Sequence, residues 1–332
     1  MIKTYPSPAA GKITRARAVP ARPADRARQL FRVTIGVGRQ RGEHMDRGYW
    51  ARRIGELDPA TDYHEIYRIL VTREFPWDFN QSLSLALYRT YAVPSIGQLL
   101  CRTGEFTQRT QRRYDDTALI LDTILEHGLS SGAGRTALRR MNQMHGAYDI
   151  SNDDKLYVLS TFVVMPIRWL DRYGWRQLTK AECAASATYY RELGRHMGIK
   201  GIPGTHQEFA GFLDRYEAEH FGSDEGGLAV SEATLELMAT FPPNRLAPRA
   251  LIDRFAKALM DDRLLDAFGY RRPSRWERAA ASGALRARAA VVRFQPPRRE
   301  PLYARQLPNI RSYPDGYEIA AIGTFPGEAA GP

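Results

Sequence analysis

The sequence predicts an all-α protein organised as a single multi-helix globular domain. Apolar residues recur three and four positions apart from Gly48 to about residue 290, the spacing that places side chains on one face of a helix. Runs of alternating β-branched residues, typical of strands, are nearly absent. The chain has 332 residues and is 43% hydrophobic, which is enough for a substantial core.

The elements follow in order along the chain. The segment Asp58-Pro59-Ala60-Thr61-Asp62 has the cap and early proline of a helix start, and Ile66, Ile69 and Leu70 continue it. Residues 75–78 (Phe-Pro-Trp-Asp) are interpreted as a stop and a turn. Short helices are predicted at 83–91 and 96–100. Further helices are predicted at about 107–127, 134–147, 153–173, 180–196, 205–219, 230–240, 247–267 and 273–290.

Composition divides the chain into three parts. Residues 1–44 form a basic tail rich in Pro, Ala and Arg, and are expected to be disordered unless the natural start is Met45. Residues 45–292 form the helical domain, and residues 293–332 an irregular C-terminal strap. The net charge of +11 resides at the ends: residues 1–45 carry +8 and residues 270–311 carry +9, whereas residues 46–269 carry −3. A nucleic-acid-binding function is therefore not predicted.

Two cysteines, Cys101 and Cys183, lie in apolar helical patterns, so a disulfide framework is not indicated and a cytoplasmic location is expected. The longest apolar run, 156–170, is interrupted by polar residues and proline, so no membrane span is predicted.

His145 is the histidine most suited to a buried role. Leu138, Met141 and His145 stand at i, i+3 and i+7, so the imidazole is expected on the apolar face of its helix. A second helix follows at once, with Asn152 as the expected N-cap. The imidazole is then either a hydrogen-bonded core group or a ligand for a metal or cofactor. A zinc site is not indicated, because no motif groups several ligands.

Arg113 and Thr117 place two polar groups on the apolar face formed by Ile120, Leu121 and Ile124. A buried guanidinium needs a carboxylate, a ligand anion or a water network. Arg113 therefore either reaches a nearby acid such as Asp116 or Glu105, or faces a bound ligand.

The pairs Asp115-Asp116 and Asp153-Asp154 raise the possibility of a magnesium-dependent enzyme acting on a prenyl diphosphate. No third carboxylate follows at the helical step required, so helix capping is the preferred interpretation of both pairs.

Residues from about 48 to 225 resemble the oxygenase family that joins the fungal membrane-bound oxygenase of mycophenolic acid biosynthesis to the bacterial rubber oxygenases, also called latex-clearing proteins. The resemblance lies in several motifs in the same order. They are Leu57-Asp58-Pro59, Phe75-Pro76-Trp77, Ala86-Leu87-x-Arg89-Thr90, Thr103-Gly104-Glu105-Phe106, Arg113-Tyr114-Asp115-Asp116-Thr117 and the stretch from Arg140 to Leu159.

The resemblance implies an all-α fold with haem b held between helices, dioxygen as co-substrate and oxidative cleavage of a carbon–carbon double bond in a hydrophobic, isoprenoid-type substrate. It implies that His145 is the proximal iron ligand and that Arg113 and Thr117 are distal-side groups. Two positions depart from the rubber-oxygenase pattern: Asp116 replaces a lysine, and Asp149 replaces an arginine. These departures place the sequence closer to the fungal branch. They also motivate an alternative, a haem- or lipid-binding protein without catalysis. Oligomeric state is not predicted.

Overall fold

The computed structural model describes residues 45–323, and every regular element in that range is helical. The fold class predicted from the sequence is confirmed. Fourteen α-helices occur within these residues. They are α1 (Tyr49–Gly55), α2 (Tyr63–Ile69), α3 (Pro76–Thr90), α4 (Pro94–Thr103), α5 (Glu105–Gln108), α6 (Thr110–His127), α7 (Gly132–Gly146), α8 (Asn152–Tyr173), α9 (Lys180–His196), α10 (His206–His220), α11 (Glu225–Ala239), α12 (Arg249–Ala258), α13 (Asp262–Ala267) and α14 (Arg275–Val292).

The core is organised around α3 and α8, which pack along each other. Helices α9 and α10 cover α8, α2 lies on α9, and α6 pairs with α7. A π-helical turn, Leu70–Glu74, links α2 to α3. Large, fully buried side chains are aromatic or aliphatic and come from five of these helices and the turn before α3; they include Ile66, Phe75, Phe79, Tyr88, Leu119, Tyr157 and Phe209.

Helices α4 and α11 cross so closely that only glycine fits. A Cβ atom on Gly97 would lie 2.7 Å from the Cα atom of Gly227, and one on Gly227 would lie 2.3 Å from the carbonyl oxygen of Tyr91. Both distances are well below a van der Waals contact, so a side chain at either position would push the helices apart.

Several predicted boundaries differ for local reasons. Residues 75–78 do not form a turn: Pro76 occupies the first position of α3, where its missing N–H is not needed. The N-cap of α8 is Ser151, whose hydroxyl accepts from the Asp154 amide, and not Asn152. The helix predicted at 247–267 is two helices, because the Asp261 side chain caps a new one by accepting from the Leu264 amide at 3.1 Å.

Residues 293–323 run irregularly over the helical body, with a single 3-10 turn at Ala304–Gln306. The Leu302 amide donates to the Thr72 carbonyl at 2.8 Å, and the segment then crosses α6. It ends against α7, where Arg140 donates to the Ile322 carbonyl. The predicted tail, residues 1–44, and the last part of the predicted strap, residues 324–332, lie outside the described residues. Within the described range, no helix is both long and apolar enough to cross a membrane.

Candidate functional site

His145 sits in the last turn of α7, the helix that Ser131 begins by accepting a hydrogen bond from the Gly134 amide. The inner face of α7 is buried through Ala137, Leu138 and Met141, and His145 lies one turn further along that face. Its Nδ1 atom is buried without a hydrogen-bond partner. Among residues 45–323, the structure gives neither ring nitrogen a hydrogen bond. No protein group of this range therefore serves as the hydrogen-bond partner that a core histidine would need.

The environment of His145 keeps its imidazole neutral. Burial lowers its pKa to about 4, and the positive charges of Arg113 and Lys155 act in the same direction. A neutral imidazole has a free nitrogen lone pair, which is the form that binds a metal. At neutral pH the residue is thus available as a ligand.

Arg113 and Thr117 lie one turn apart on α6 and bond to each other. An Nη1–H of Arg113 donates to Thr117 Oγ1, and that hydroxyl donates to the Arg113 carbonyl at 2.9 Å. The guanidinium also lies over the ring of Phe106, with its central carbon 5.3 Å from the ring centroid. Arg113 forms no ion pair with a carboxylate of the described chain, and burial lowers its pKa against the opposing charge of Asp116.

The two acids considered as partners for Arg113 are engaged elsewhere. Glu105 pairs with Arg109, one turn further along the chain. Asp116 accepts a hydrogen bond from the Tyr313 hydroxyl of the C-terminal segment. Burial raises the pKa of Asp116, while Tyr313 and Arg113 oppose that shift. The expectation that Arg113 reaches one of these acids is therefore wrong.

Arg113 and His145 belong to two helices, α6 and α7, that pack against each other. The charge of Arg113 contributes to the lowered pKa of His145. The hydroxyls of Tyr91 and Tyr148 in turn influence the pKa of Arg113. The arrangement combines a neutral imidazole, an unpaired cation and aromatic surface. That combination suits a planar, anionic or oxygen-binding group such as haem, whose iron takes an imidazole ligand.

The acidic pairs do not form a metal site. Asp115 accepts from the amides of Arg311 and Ser312, at 2.9 and 2.8 Å, so it anchors the C-terminal segment and does not cap a helix. The capping interpretation of Asp115-Asp116 is wrong. Asp154 lies in the first turn of α8 and accepts from Ser95 and Tyr216. No group of three or more potential metal ligands is present in the part of the chain that the structure describes.

Asp149, the other departure from the rubber-oxygenase pattern, is exposed in the short connection between α7 and α8. It has no hydrogen bond or ion pair within residues 45–323. An arginine at this position would therefore also lie at the surface of this fold.

An apolar cavity of about 120 Å³ adjoins Thr117. Its walls come from α2, α3, α6, α8 and α9, and the C-terminal segment closes one side through Leu302, Ala304 and Leu307. The hydroxyls of Tyr67 and Tyr190, 2.8 Å apart, satisfy each other in the wall. Thr117 thus both accepts the hydrogen bond from Arg113 and lines this cavity.

Sequence reasoning missed the cavity, because its walls are far apart in the chain. It also missed Phe106, Tyr148 and Lys155 as neighbours of the two candidate residues. No local spacing signals such a neighbourhood.

Comparison with known proteins adds a family. Residues 83–294 match the family model described as the ER-bound oxygenase mpaB/B'/rubber oxygenase catalytic domain. Over 268 residues, or 75% of the chain, the sequence is 30% identical to the ER-bound oxygenase mpaB' of Penicillium brevicompactum. It is also 30% identical over 216 residues to the ER-bound oxygenase mpaB of Penicillium roqueforti, covering 59% of this chain and 72% of that protein. The first alignment spans 62% of the length of the relative.

Proposed function

The chain belongs to the family of mpaB-type and rubber oxygenase catalytic domains, and on that premise we propose that it is a haem-b-dependent oxygenase acting on a hydrophobic, isoprenoid-type substrate. Oxidative cleavage of a carbon–carbon double bond is the reaction proposed. His145 is the proposed iron ligand, and Arg113 and Thr117 are the proposed groups on the oxygen-handling side.

One observation carries the cofactor assignment: the imidazole of His145 is neutral, has a buried Nδ1 and lacks any hydrogen bond within residues 45–323. A buried polar atom without a hydrogen-bond partner lowers the stability of the fold, because the hydrogen bonds it made to water in the unfolded chain are not replaced. A bound group that engages Nδ1 would remove that cost. Haem, when bound, supplies an iron that activates dioxygen.

The protein would contribute hydrogen-bond donors to the site, chiefly from Arg113. Arg113 has further guanidinium N–H groups beyond the one given to Thr117, and none meets a carboxylate within residues 45–323. They are suited to stabilising negative charge that develops as dioxygen is reduced. The bond to Thr117 holds the guanidinium in place, so this stabilisation requires little rearrangement.

The cavity beside Thr117 would position the substrate. Its wall is dominated by aliphatic and aromatic side chains, and a cavity of this order, about 120 Å³, is close to one known to hold benzene. It therefore has room for one branched five-carbon unit. The apolar lining would align the alkene and exclude water from the reacting carbons.

The test is the absorbance spectrum of the full-length protein produced with ample haem. We expect a Soret band that His145→Ala abolishes or shifts. The matched control is His64→Ala: the Nε2 atom of His64 is also buried without a partner, but a backbone hydrogen bond to Ile124 already engages the ring. His64→Ala should keep the band. A wild-type protein without a Soret band would refute haem binding, and an unchanged band in His145→Ala would refute the ligand assignment.

A second candidate function is haem or lipid binding without catalysis. The observation that favours it is Asp116, which replaces the lysine of the rubber enzymes and accepts its hydrogen bond from Tyr313, not from Arg113. Measuring oxygen uptake with isoprenoid alkenes separates the two functions. Consumption of oxygen that depends on the alkene supports the oxygenase, whereas a haem protein that never consumes oxygen supports binding alone.

A further inference from the structure

The outward face of α14 is an apolar stripe that no described element covers. The positions are spaced by three and four residues, so they lie along one side of the helix and of the turn that follows it, and each is exposed. They are Trp276, Ala280, Gly283, Ala287, Val291 and Phe294. Trp276 is 84% exposed and Phe294 is 86% exposed. Single exposed apolar residues are common, but a continuous stripe with an aromatic residue at each end marks an interaction surface.

The opposite face of α14 is firmly attached to the body. Ala281, Leu285 and Ala289 are buried, and Arg288 lies over the Trp77 ring with 3.6 Å between its central carbon and the ring centroid. Arg288 also pairs with Asp78 at 3.0 Å. The helix therefore cannot rotate to bury the stripe without breaking these contacts.

The charge beside the stripe is positive. Arg275, Arg286 and Arg293 are exposed and follow one margin of the helix, at i, i+11 and i+18. None forms an ion pair or hydrogen bond with a residue in the range 45–323. The only carboxylate of α14 belongs to Glu277, which accepts from Arg254 at 2.8 Å, and no acidic residue occurs from 278 to 299.

We propose that α14 docks the protein onto an anionic lipid surface, lying parallel to it over its length of about 27 Å. Trp276 and Phe294 would enter the boundary between headgroups and acyl chains, where aromatic side chains are favoured. The three arginines would bind lipid phosphates while their aliphatic stems cover apolar surface. A second copy of this face would offer another row of arginines and no free carboxylate, so the charges fit lipid better than self-association.

This surface goes beyond the proposed oxygenase and does not depend on haem. Its consequence for such an enzyme is direct, because an apolar substrate is concentrated in lipid. Attachment through α14 would hold the protein where that substrate is dissolved.

The experiment is co-sedimentation of the full-length protein with vesicles. One set contains phosphatidylcholine alone, and the other contains phosphatidylcholine with about a third phosphatidylglycerol. We expect binding to the anionic vesicles that weakens at least tenfold between about 0.1 M and about 0.5 M salt. Absence of binding to anionic vesicles at the lower salt would overturn the proposal.

Two sets of substitutions connect binding to α14. Trp276→Gln with Phe294→Gln should weaken binding at least tenfold, and Arg275→Gln with Arg286→Gln and Arg293→Gln should do so on anionic vesicles. The control removes the same charge elsewhere: Arg102→Gln, Arg139→Gln and Arg215→Gln, three exposed arginines on α4, α7 and α10. It should retain binding within about threefold.

Equal losses in the control triple and the α14 triple would overturn the proposal, since binding would then follow total charge. So would undiminished binding by both α14 variants. Light scattering tests whether a second copy of the chain covers the stripe instead of lipid. If the wild type is a dimer and the Trp276 and Phe294 substitutions convert it to a monomer, the stripe is an interface between copies and the proposal is overturned. Circular dichroism should show unchanged helix content, because the substituted side chains are exposed.

Discussion

Two arginines on different helices of this fold differ in whether carboxylates of the protein pair with them. Arg89 on α3 is 7% exposed, and its Nε–H donates to Glu217 Oε1 at 2.7 Å while Nη1 pairs with Asp261. The Tyr157 hydroxyl donates to the same Glu217 oxygen at 3.2 Å. Arg113 on α6 is partly buried and bonds only to Thr117, with no ion pair among residues 45–323.

The difference shows that residues 45–323 provide carboxylate partners for the charge of Arg89 but not for that of Arg113. Burial opposes the ionised form of both groups, but the hydrogen bonds and charges of Glu217 and Asp261 outweigh it and raise the pKa of Arg89. At Arg113 burial prevails over the charge of Asp116, and the pKa is lowered. Arg89 thus stabilises the fold through its ion pairs, whereas the guanidinium of Arg113 is available to a bound ligand.

The largest expected effect is at Arg89. Arg89→Met would leave Glu217 buried without its cation, and loss of one partner of a buried pair costs about 3–5 kcal/mol. Urea unfolding followed by circular dichroism would measure the decrease in the free energy of unfolding. Arg102→Met, an exposed arginine on α4, is the control and should change stability by less than about 0.5 kcal/mol. If Arg89→Met lowered the free energy of unfolding no more than Arg102→Met does, Arg89 would not be a residue that stabilises the fold.

A smaller effect is expected at His145 and depends on pH. The pKa of His145 in the folded protein is about 4, below the usual value of 6.5, so the unfolded chain binds more protons between these pH values. The stability from this group is therefore present above pH 6.5 and is lost as the pH falls toward 4. Because the residue is partly exposed, we expect a loss of about 2 kcal/mol, less than the full shift would give.

His145→Gln should remove this part of the pH dependence in ligand-free protein. Measured at pH 7 and at pH 4.5, the variant should lose less stability than the wild type. His127→Gln, at an exposed histidine near the end of α6, is the control and should follow the wild type. A His145→Gln variant with the pH dependence of the wild type would mean that its imidazole is protonated freely in the folded state.

The sequence predicted the helical fold and the inward position of His145, because both depend on spacing within one helix. Leu138, Met141 and His145 needed no information beyond their own positions. The helix starts that were predicted wrongly are set by the capping residues Ser151 and Asp261. Spacing alone does not show which of several neighbouring polar residues caps a helix.

The distinction between Arg89 and Arg113 could not be predicted from spacing. The partners of Arg89 lie 128 and 172 positions away, and the acids next to Arg113 are occupied by Arg109 and by Tyr313, which is 197 positions from Asp116. Local sequence places Arg113 beside two carboxylates and Arg89 beside none. The Arg109–Glu105 pair follows local i, i+4 spacing, but the long-range contacts of Tyr313, Glu217 and Asp261 are needed to show which cation is left unpaired.

The smallest effect is expected at Arg113, and it tests the comparison most directly. Arg113→Met keeps the aliphatic stem and removes a partly buried cation that no described carboxylate compensates. It forfeits the bond to Thr117 and the contact with Phe106, but it also relieves the desolvation of the guanidinium, so the free energy of unfolding should change by about 1 kcal/mol or less. Urea unfolding of ligand-free protein, alongside Arg89→Met, would measure it. A loss comparable to that of Arg89→Met would mean that Arg113 is a structural cation. A small change, combined with impaired oxygen uptake in the haem-loaded variant, would assign Arg113 to the bound group.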